Sequence, residues 1–200
     1  MLQVVLVTRN HSLYVKTLHN ILRLQAVCAL PEIRGQINIT FCNDSEEEKV
    51  GLISKLMKAS EVDRVVWFEY GASLTRDDVE KVLLRHQGFD GAVYPSSKKM
   101  VNWERFATEV NKNTTEPSHQ IALEFDTEVT KGEYAPGFNI VTKTEPILWC
   151  VSTKTISKKL KNKKTKEVPK FRSINEFFGV CLKNKCRSGA QIDVTTTNNF

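Results

Sequence analysis

The sequence has no Gly-x-x-x-x-Gly-Lys, no Gly-x-Gly-x-x-Gly and no Gly-x-Ser-x-Gly. Phosphate-loop hydrolases, dinucleotide enzymes and α/β-hydrolases therefore lose their sequence support. No apolar run approaches the roughly 20 residues that span a bilayer. The four histidines, His11, His19, His86 and His119, lack metal-ligand spacing, which argues against a four-ligand metal site. The five cysteines are odd in number, scattered and without Cys-x-x-Cys spacing. That pattern points to reduced thiols in a cytosolic setting, not to a disulfide scaffold or a zinc ribbon. Met1 to Val7 lacks the basic flank, apolar length and cleavage site of a secretory signal. A cytoplasmic location is the expectation, and the Asn-x-Ser/Thr sequons at Asn10, Asn38, Asn43 and Asn113 are read as chance matches.

What is present is enough chain for one domain of 200 residues, 40% hydrophobic and 26% charged, as in soluble globular proteins. The net charge of +6 is local in origin. Residues 154–170 hold eight lysines and one acid, and the rest of the chain has 21 basic against 22 acidic residues. The segment is expected to be a mobile, solvated loop. It lacks the interleaved aromatics of a single-strand-binding surface, with only Phe171 adjoining, so nucleic acid is not the expected partner.

The first half alternates strand and helix. Val4 to Val7 is a continuous apolar run, as in a strand covered on both faces. Ser12 is placed to cap a helix reaching about Leu30, before Pro31. Ile37, Ile39 and Phe41 alternate with polar residues in a half-exposed strand. Ser45 and Glu48 have capping-box spacing at the start of a helix whose apolar stripe is Val50, Ile53, Leu56 and Met57. A third strand, Val65 to Phe68, stops at Glu69-Tyr70-Gly71. Thr75 and Asp78 then form a second capping box for a helix to about His86, and Gly91 to Tyr94 is a short strand. This order predicts a parallel, doubly wound sheet. The second half is less regular, with strands expected at Ile121–Phe125, Phe138–Thr142, Ile147–Ser152 and Gln191–Thr195 and a helix at Ile174–Leu182.

The order of these elements resembles the GT-A class of nucleotide-diphospho-sugar glycosyltransferases over nearly the whole chain. Thr8-Arg9-Asn10 ends the first strand where such enzymes open the nucleotide pocket. Asn43-Asp44-Ser45 resembles the turn whose acid binds base or ribose. Glu69-Tyr70-Gly71 stands where the family carries its metal-binding Asp-x-Asp. Ser173 to Phe178 looks like the acceptor-side helix start, and Gly189 to Val194 like the returning strand. Val93-Tyr94-Pro95 and Val101 to Phe106 resemble the region after the diphosphate strand, and Ala135 to Asn139 the glycine turn before the acceptor-side strand.

The resemblance implies a single α/β Rossmann-like GT-A domain: a mainly parallel central sheet flanked by helices, with a smaller antiparallel acceptor-side region. Residues 1–95 would bind the nucleotide and residues 96–200 the glycan or protein acceptor. It implies a nucleotide-diphosphate sugar touching Thr8, Arg9, Asn10, Asp44, Glu69 and Gly71. It implies a Mn²⁺ or Mg²⁺ ion on Glu69, Glu176 as catalytic base, and Gly137 and Trp103 on the acceptor side. The chemistry is coherent. A leaving diphosphate gathers negative charge that a cation must meet, and a basic side chain can replace the metal there. Glu176 would take the acceptor proton, and Gly71 would let the backbone approach a phosphate.

Simpler roles exist for each residue. Asp44 is also a natural helix cap, Glu69 a plain turn acid, Arg9 a surface ion-pair partner and Glu176 a first-turn acid that suits the helix dipole. Trp67 and Phe68 read as core, and so by default does Trp103. Loss of Asp-x-Asp favours the alternative of a catalytically degenerate binding or assembly module on the same scaffold.

Overall fold

The computed structural model describes residues 1–30, 36–83, 89–97, 101–112, 121, 123–162, 167–192, 194 and 196–198. Its centre is the expected alternation. Strand β1 (Leu2–Thr8), helix α1 (Val15–Cys28), strand β2 (Ile37–Asn43), helix α2 (Glu46–Leu56) and strand β3 (Arg64–Phe68) follow in order. Both β2 and β3 pair parallel to β1. Their carboxyl ends, at Thr8, Asn43 and Phe68, therefore lie along one edge. Ligand crevices open at this edge in doubly wound sheets.

The chain continues through β4 (Ala72–Leu74), a 3-10 helix (Val79–Leu83), β5 (Gly91–Val93), α3 (Trp103–Asn111), β6 (Thr127–Ala135), β7 (Phe138–Thr144), β8 (Leu148–Ser152), α4 (Thr153–Leu160), α5 (Ile174–Lys183), β9 (Ser188–Gln191) and β10 (Thr196–Asn198). The main sheet has eight strands in the order β2-β1-β3-β8-β5-β9-β7-β6, and β10 pairs with β4 apart from it. The mainly parallel sheet expected from the sequence is not what forms. Three neighbour pairings are parallel and four antiparallel. The main cause is β8, which enters the middle of the sheet antiparallel to both β3 and β5. Buried on both faces, such a strand shows an apolar run whatever its direction.

Helices cover both faces. On one, Val5, Val7, Val65, Trp67 and Trp149 pack under Ile53 and Leu56 of α2, Ile156 and Leu160 of α4, and Phe177 and Phe178 of α5. On the other, Val4, Leu6, Val66 and Phe68 lie under Ile21 and Leu24 of α1 and Val79 and Val82 of the 3-10 helix. Trp67 and Phe68 are core, as read from the sequence. The Trp67 and Trp149 rings stack at 5.2 Å and 6° across the β3–β8 pair.

Several local expectations shift. Helix α1 starts at Val15 behind Tyr14, while the Ser12 hydroxyl donates to the Arg9 carbonyl in the preceding turn. Ser45 caps α2 by accepting from Glu48 N. The Glu48 carboxylate, however, accepts from Asn43 N and Nδ2, so the box is not reciprocal. Thr75 and Asp78 bond to each other ahead of a single 3-10 turn, and His86 lies outside the described residues. At Ile121–Phe125 the described residues make one bridge, Phe125 to Ser97, and no strand.

Of the strand expected at Gln191–Thr195 only Gln191 lies in β9, which overlaps the expected returning strand from Gly189, and residues 193 and 195 lie outside the described residues; β6 and α3 are not among the expected elements. The loop expected at residues 154–170 does not begin as one, and residues 163–166 of this lysine-rich segment lie outside the described residues. Its first part is α4, with Ile156 and Leu160 buried, and Phe171 just beyond it packs into the α2 side of the core.

Candidate functional site

Each of the three parallel strand ends supplies one charged side chain, and α2 supplies a fourth. After β1, Arg9 and Ser12 exchange backbone hydrogen bonds around Asn10 and His11, whose φ angles are 48° and 58°. Two successive positive φ values match the type I′ turn, and Asn and His are among the few non-glycine residues enriched in that region. The turn aims Arg9 across the edge, where its Nε donates to Asp44 Oδ2 and its guanidinium lies 4.9 Å from the Tyr70 ring centre. Tyr14 packs edge-on against Tyr70 at 5.5 Å.

The fourth residue is Lys49. Its side chain is only 8% exposed, and its ammonium stands 2.6 Å from Asp44 Oδ1, 2.8 Å from Glu69 Oε2 and 3.7 Å from Glu46 Oε1. Glu69 also accepts from Trp67 Nε1 at 2.9 Å. Burial alone would lower the Lys49 pKa, but the pull of Glu69 and the bonds to both carboxylates outweigh it and hold it above its ordinary value. Burial would raise Asp44, yet its bonds to Lys49 and Arg9 keep it below the usual carboxylate range. For Glu69 burial prevails, and its pKa is raised.

Asp44 and Glu69 thus converge as expected, but on an ammonium. A divalent ion there would need their free oxygens, and the donor set does not fit one. Asp44 is engaged by two cations, and Glu69 by a cation and an indole N–H. Among the described residues no group of three or more His, Cys, Asp or Glu side chains is placed to hold a metal. The Lys49 ammonium takes the position that the resemblance assigned to Mn²⁺ or Mg²⁺.

The remaining candidates scatter. The Thr8 hydroxyl is buried and donates to the Cys42 carbonyl. Gly71 follows Glu69 with a φ of 80°, and the turn is closed by Ala72 N donating to Glu69 O. Glu176 lies in the first turn of α5, where its carboxylate accepts from Arg172 N at 2.6 Å. Its helix start is tied to the cluster indirectly, through Ile174 N donating to Glu46 Oε2 at 3.3 Å.

Gly137, with a φ of 79°, turns the β6–β7 hairpin after Pro136. Strand β7 lies four spacings from β3, or roughly 19 Å along the sheet. Trp103 is 68% exposed at the start of α3 and touches Phe106, so it is not core.

Lys49, Tyr70 and the polar role of Trp67 were missed. One signal for Lys49 was available. It sits four residues before Ile53 and seven before Leu56, on the buried stripe of α2, where a lysine needs a carboxylate partner.

No protein-family model matches this sequence. No curated protein matches it either. Among solved structures it is similar to A197 from STIV, with a TM-score of 0.58 at 9% identity, over 100% of this chain and 86% of that one. That likeness establishes a shared fold. Two further solved structures are similar at lower scores. The inositol-1-phosphate CTP transferase from T. maritima matches at 0.44 and 10% identity, over 98% of this chain and 69% of that one. A putative glucose-1-phosphate thymidylyltransferase from Bacillus anthracis matches at 0.47 and 10%, over 99% and 89%. No helix among the described residues is long and apolar enough to cross a membrane.

Proposed function

We propose that this chain is a metal-free binding protein for a nucleotide-diphosphate sugar, built on a transferase-type scaffold. The ligand would lie across the carboxyl ends of β1, β2 and β3. The observation that carries this reading is the Lys49 ammonium between Asp44 and Glu69. It ties the strand ends together without a bound ion; its own charge is balanced by the two acids, so a diphosphate would be met by the rim. Arg9, with its side chain 53% exposed, is the cation at the rim that can turn toward a phosphate. Tyr70, whose ring Arg9 covers, would stack on a base once Arg9 has moved to the phosphate.

A second reading is glycosyl transfer to a glycan or protein acceptor by the same metal-free route. The Glu46–Ile174 bond favours it, because it draws the start of α5, and with it Glu176, toward the cluster. As a base Glu176 would first have to release Arg172 N.

Thermal unfolding with UDP-, GDP-, CDP- and dTDP-sugars, each with EDTA or Mn²⁺, tests the binding reading. A ligand at 100 times its Kd adds about 2.7 kcal/mol, or roughly 5–11 °C in Tm for a chain of this size. The expected result is a shift that EDTA leaves unchanged and Arg9→Ala reduces. No shift with any sugar nucleotide removes the proposal, and a shift that needs Mn²⁺ removes its metal-free part. Release of free nucleoside diphosphate that Glu176→Gln abolishes would favour transfer over binding alone.

A further inference from the structure

Helix α5 ends on two cysteines. Cys186 N donates to the Cys181 carbonyl at 2.9 Å, Lys185 N donates to Leu182 O at 3.0 Å, and Lys185 has a φ of 57°. This is a Schellman ending, which brings together the side chains at its first and last positions. Such contacts are usually apolar. Here both members are free, buried thiols, Cys181 and Cys186.

Both thiols are buried and belong to the core cluster that holds Phe177 and Phe178. Cys186 lines a cavity of about 740 Å³, along with Lys159, Thr142 and Tyr134. Lys159 Nζ donates to the carbonyl of Lys185, next to Cys186, and is paired with Asp90. The neighbouring Cys181 thiol holds Cys186 below its ordinary pKa. Lys159 works in the same direction, while burial and Asp90 oppose it. The other cysteines are different: burial raises Cys28 and Cys150, and pushes Cys42 up to about 11.

We propose that Cys186 is an oxidation site for small hydroperoxides and that Cys181 resolves it, closing a disulfide across the end of α5. In the first step the Cys186 thiolate attacks the peroxide. An S–O bond forms, the O–O bond breaks, and the distal oxygen leaves as water or alcohol after taking a proton. In the second, the Cys181 sulfur attacks the Cys186 sulfur, its proton going to the departing hydroxide, and water leaves. One peroxide is reduced by two electrons and two thiols are oxidised to one disulfide.

Hydrogen peroxide added to the native full chain tests this, with alkylation and non-reducing trypsin digestion at intervals. Trypsin cuts after Lys183, Lys185 and Arg187, so the disulfide joins the peptide ending at Lys183 to Cys186-Arg187. The expected result is that linked pair, two hydrogens lighter than its parts, formed at least about tenfold faster than Cys28 or Cys150 is lost. Cys181→Ser should leave a Cys186 sulfenic acid that dimedone captures, and Cys186→Ala should abolish both products. The inference is overturned if the linked pair is absent while all five cysteines oxidise at similar rates, or if it forms only in denaturant. It does not depend on sugar-nucleotide binding, so either result leaves that reading to its own test.

Discussion

Replacing Lys49 by methionine keeps most of the side chain's length and removes its charge. The ammonium has two carboxylate oxygens within 2.8 Å and a third at 3.7 Å, at 8% side-chain exposure. Breaking a buried pair from one side leaves charge without compensation and costs about 3–5 kcal/mol. For a domain of this size that is a fall in Tm of roughly 6–20 °C.

The loss should depend on pH in a defined sense. Without the lysine, Asp44 and Glu69 repel each other in a partly dry site, so their folded pKa values rise. A group with a raised folded pKa penalises folding while ionised, and the penalty fades as pH falls. Urea unfolding at pH 8 and pH 5 should therefore show a larger deficit against wild type at pH 8. Adding Glu69→Gln to Lys49→Met should recover part of the loss, because the two residues share one interaction. Millimolar Mn²⁺ should also stabilise Lys49→Met, by filling the space between its orphaned carboxylates, and leave wild type unmoved. The reasoning fails if Lys49→Met stays within about 0.5 kcal/mol of wild type at both pH values.

Lys185→Gly should stabilise the chain by about 0.5–1 kcal/mol in urea unfolding, since relief of a left-handed side chain, about 1–2 kcal/mol, exceeds the added entropy of glycine in the unfolded chain. Wild-type stability should decline below about pH 4 and above about pH 10.5. Asp44, with a lowered folded pKa, contributes above its unfolded value and loses that as pH falls through the folded one. Lys49, with a raised folded pKa, contributes below its unfolded value and loses that as pH rises through the folded one.

How much of this was legible follows from which interactions are local. Strands β1 to β3 and helices α2 and α5 were readable because period and caps are written in neighbouring residues, as in Ser45 with Glu48 and Ser173 with Glu176. Strand direction is not local. Leu148 to Ser152 would show the same buried run beside β3 in either orientation, and only the chain's return path makes it antiparallel. Strand β6 was invisible for the opposite reason. It is mostly exposed and irregular against β7, so no alternation marks it. In the lysine-rich segment charge masks register: Thr153, Ile156, Ser157 and Leu160 form a buried helical stripe beneath its first lysines.

The candidate site divides along the same line, and the division bears on its chemistry. Asp44 and Glu69 were predictable because parallel strand ends share an edge. What they hold depends on a residue from the next helix. The stripe of α2 is continuous from Ile53 to Leu56 and is extended toward the edge by Lys49. A leucine at position 49 would pack as well by register and would leave two carboxylates facing each other. A lysine reaches them only because α2 starts beside Asp44, where Ser45 sets the first turn. The capping residue therefore fixes the height at which the ammonium meets the strand ends. Moving that helix start by one residue would rotate Lys49 by about 100° and release both acids. The cap of α2 and the charge state of the cluster are in this sense one structural feature.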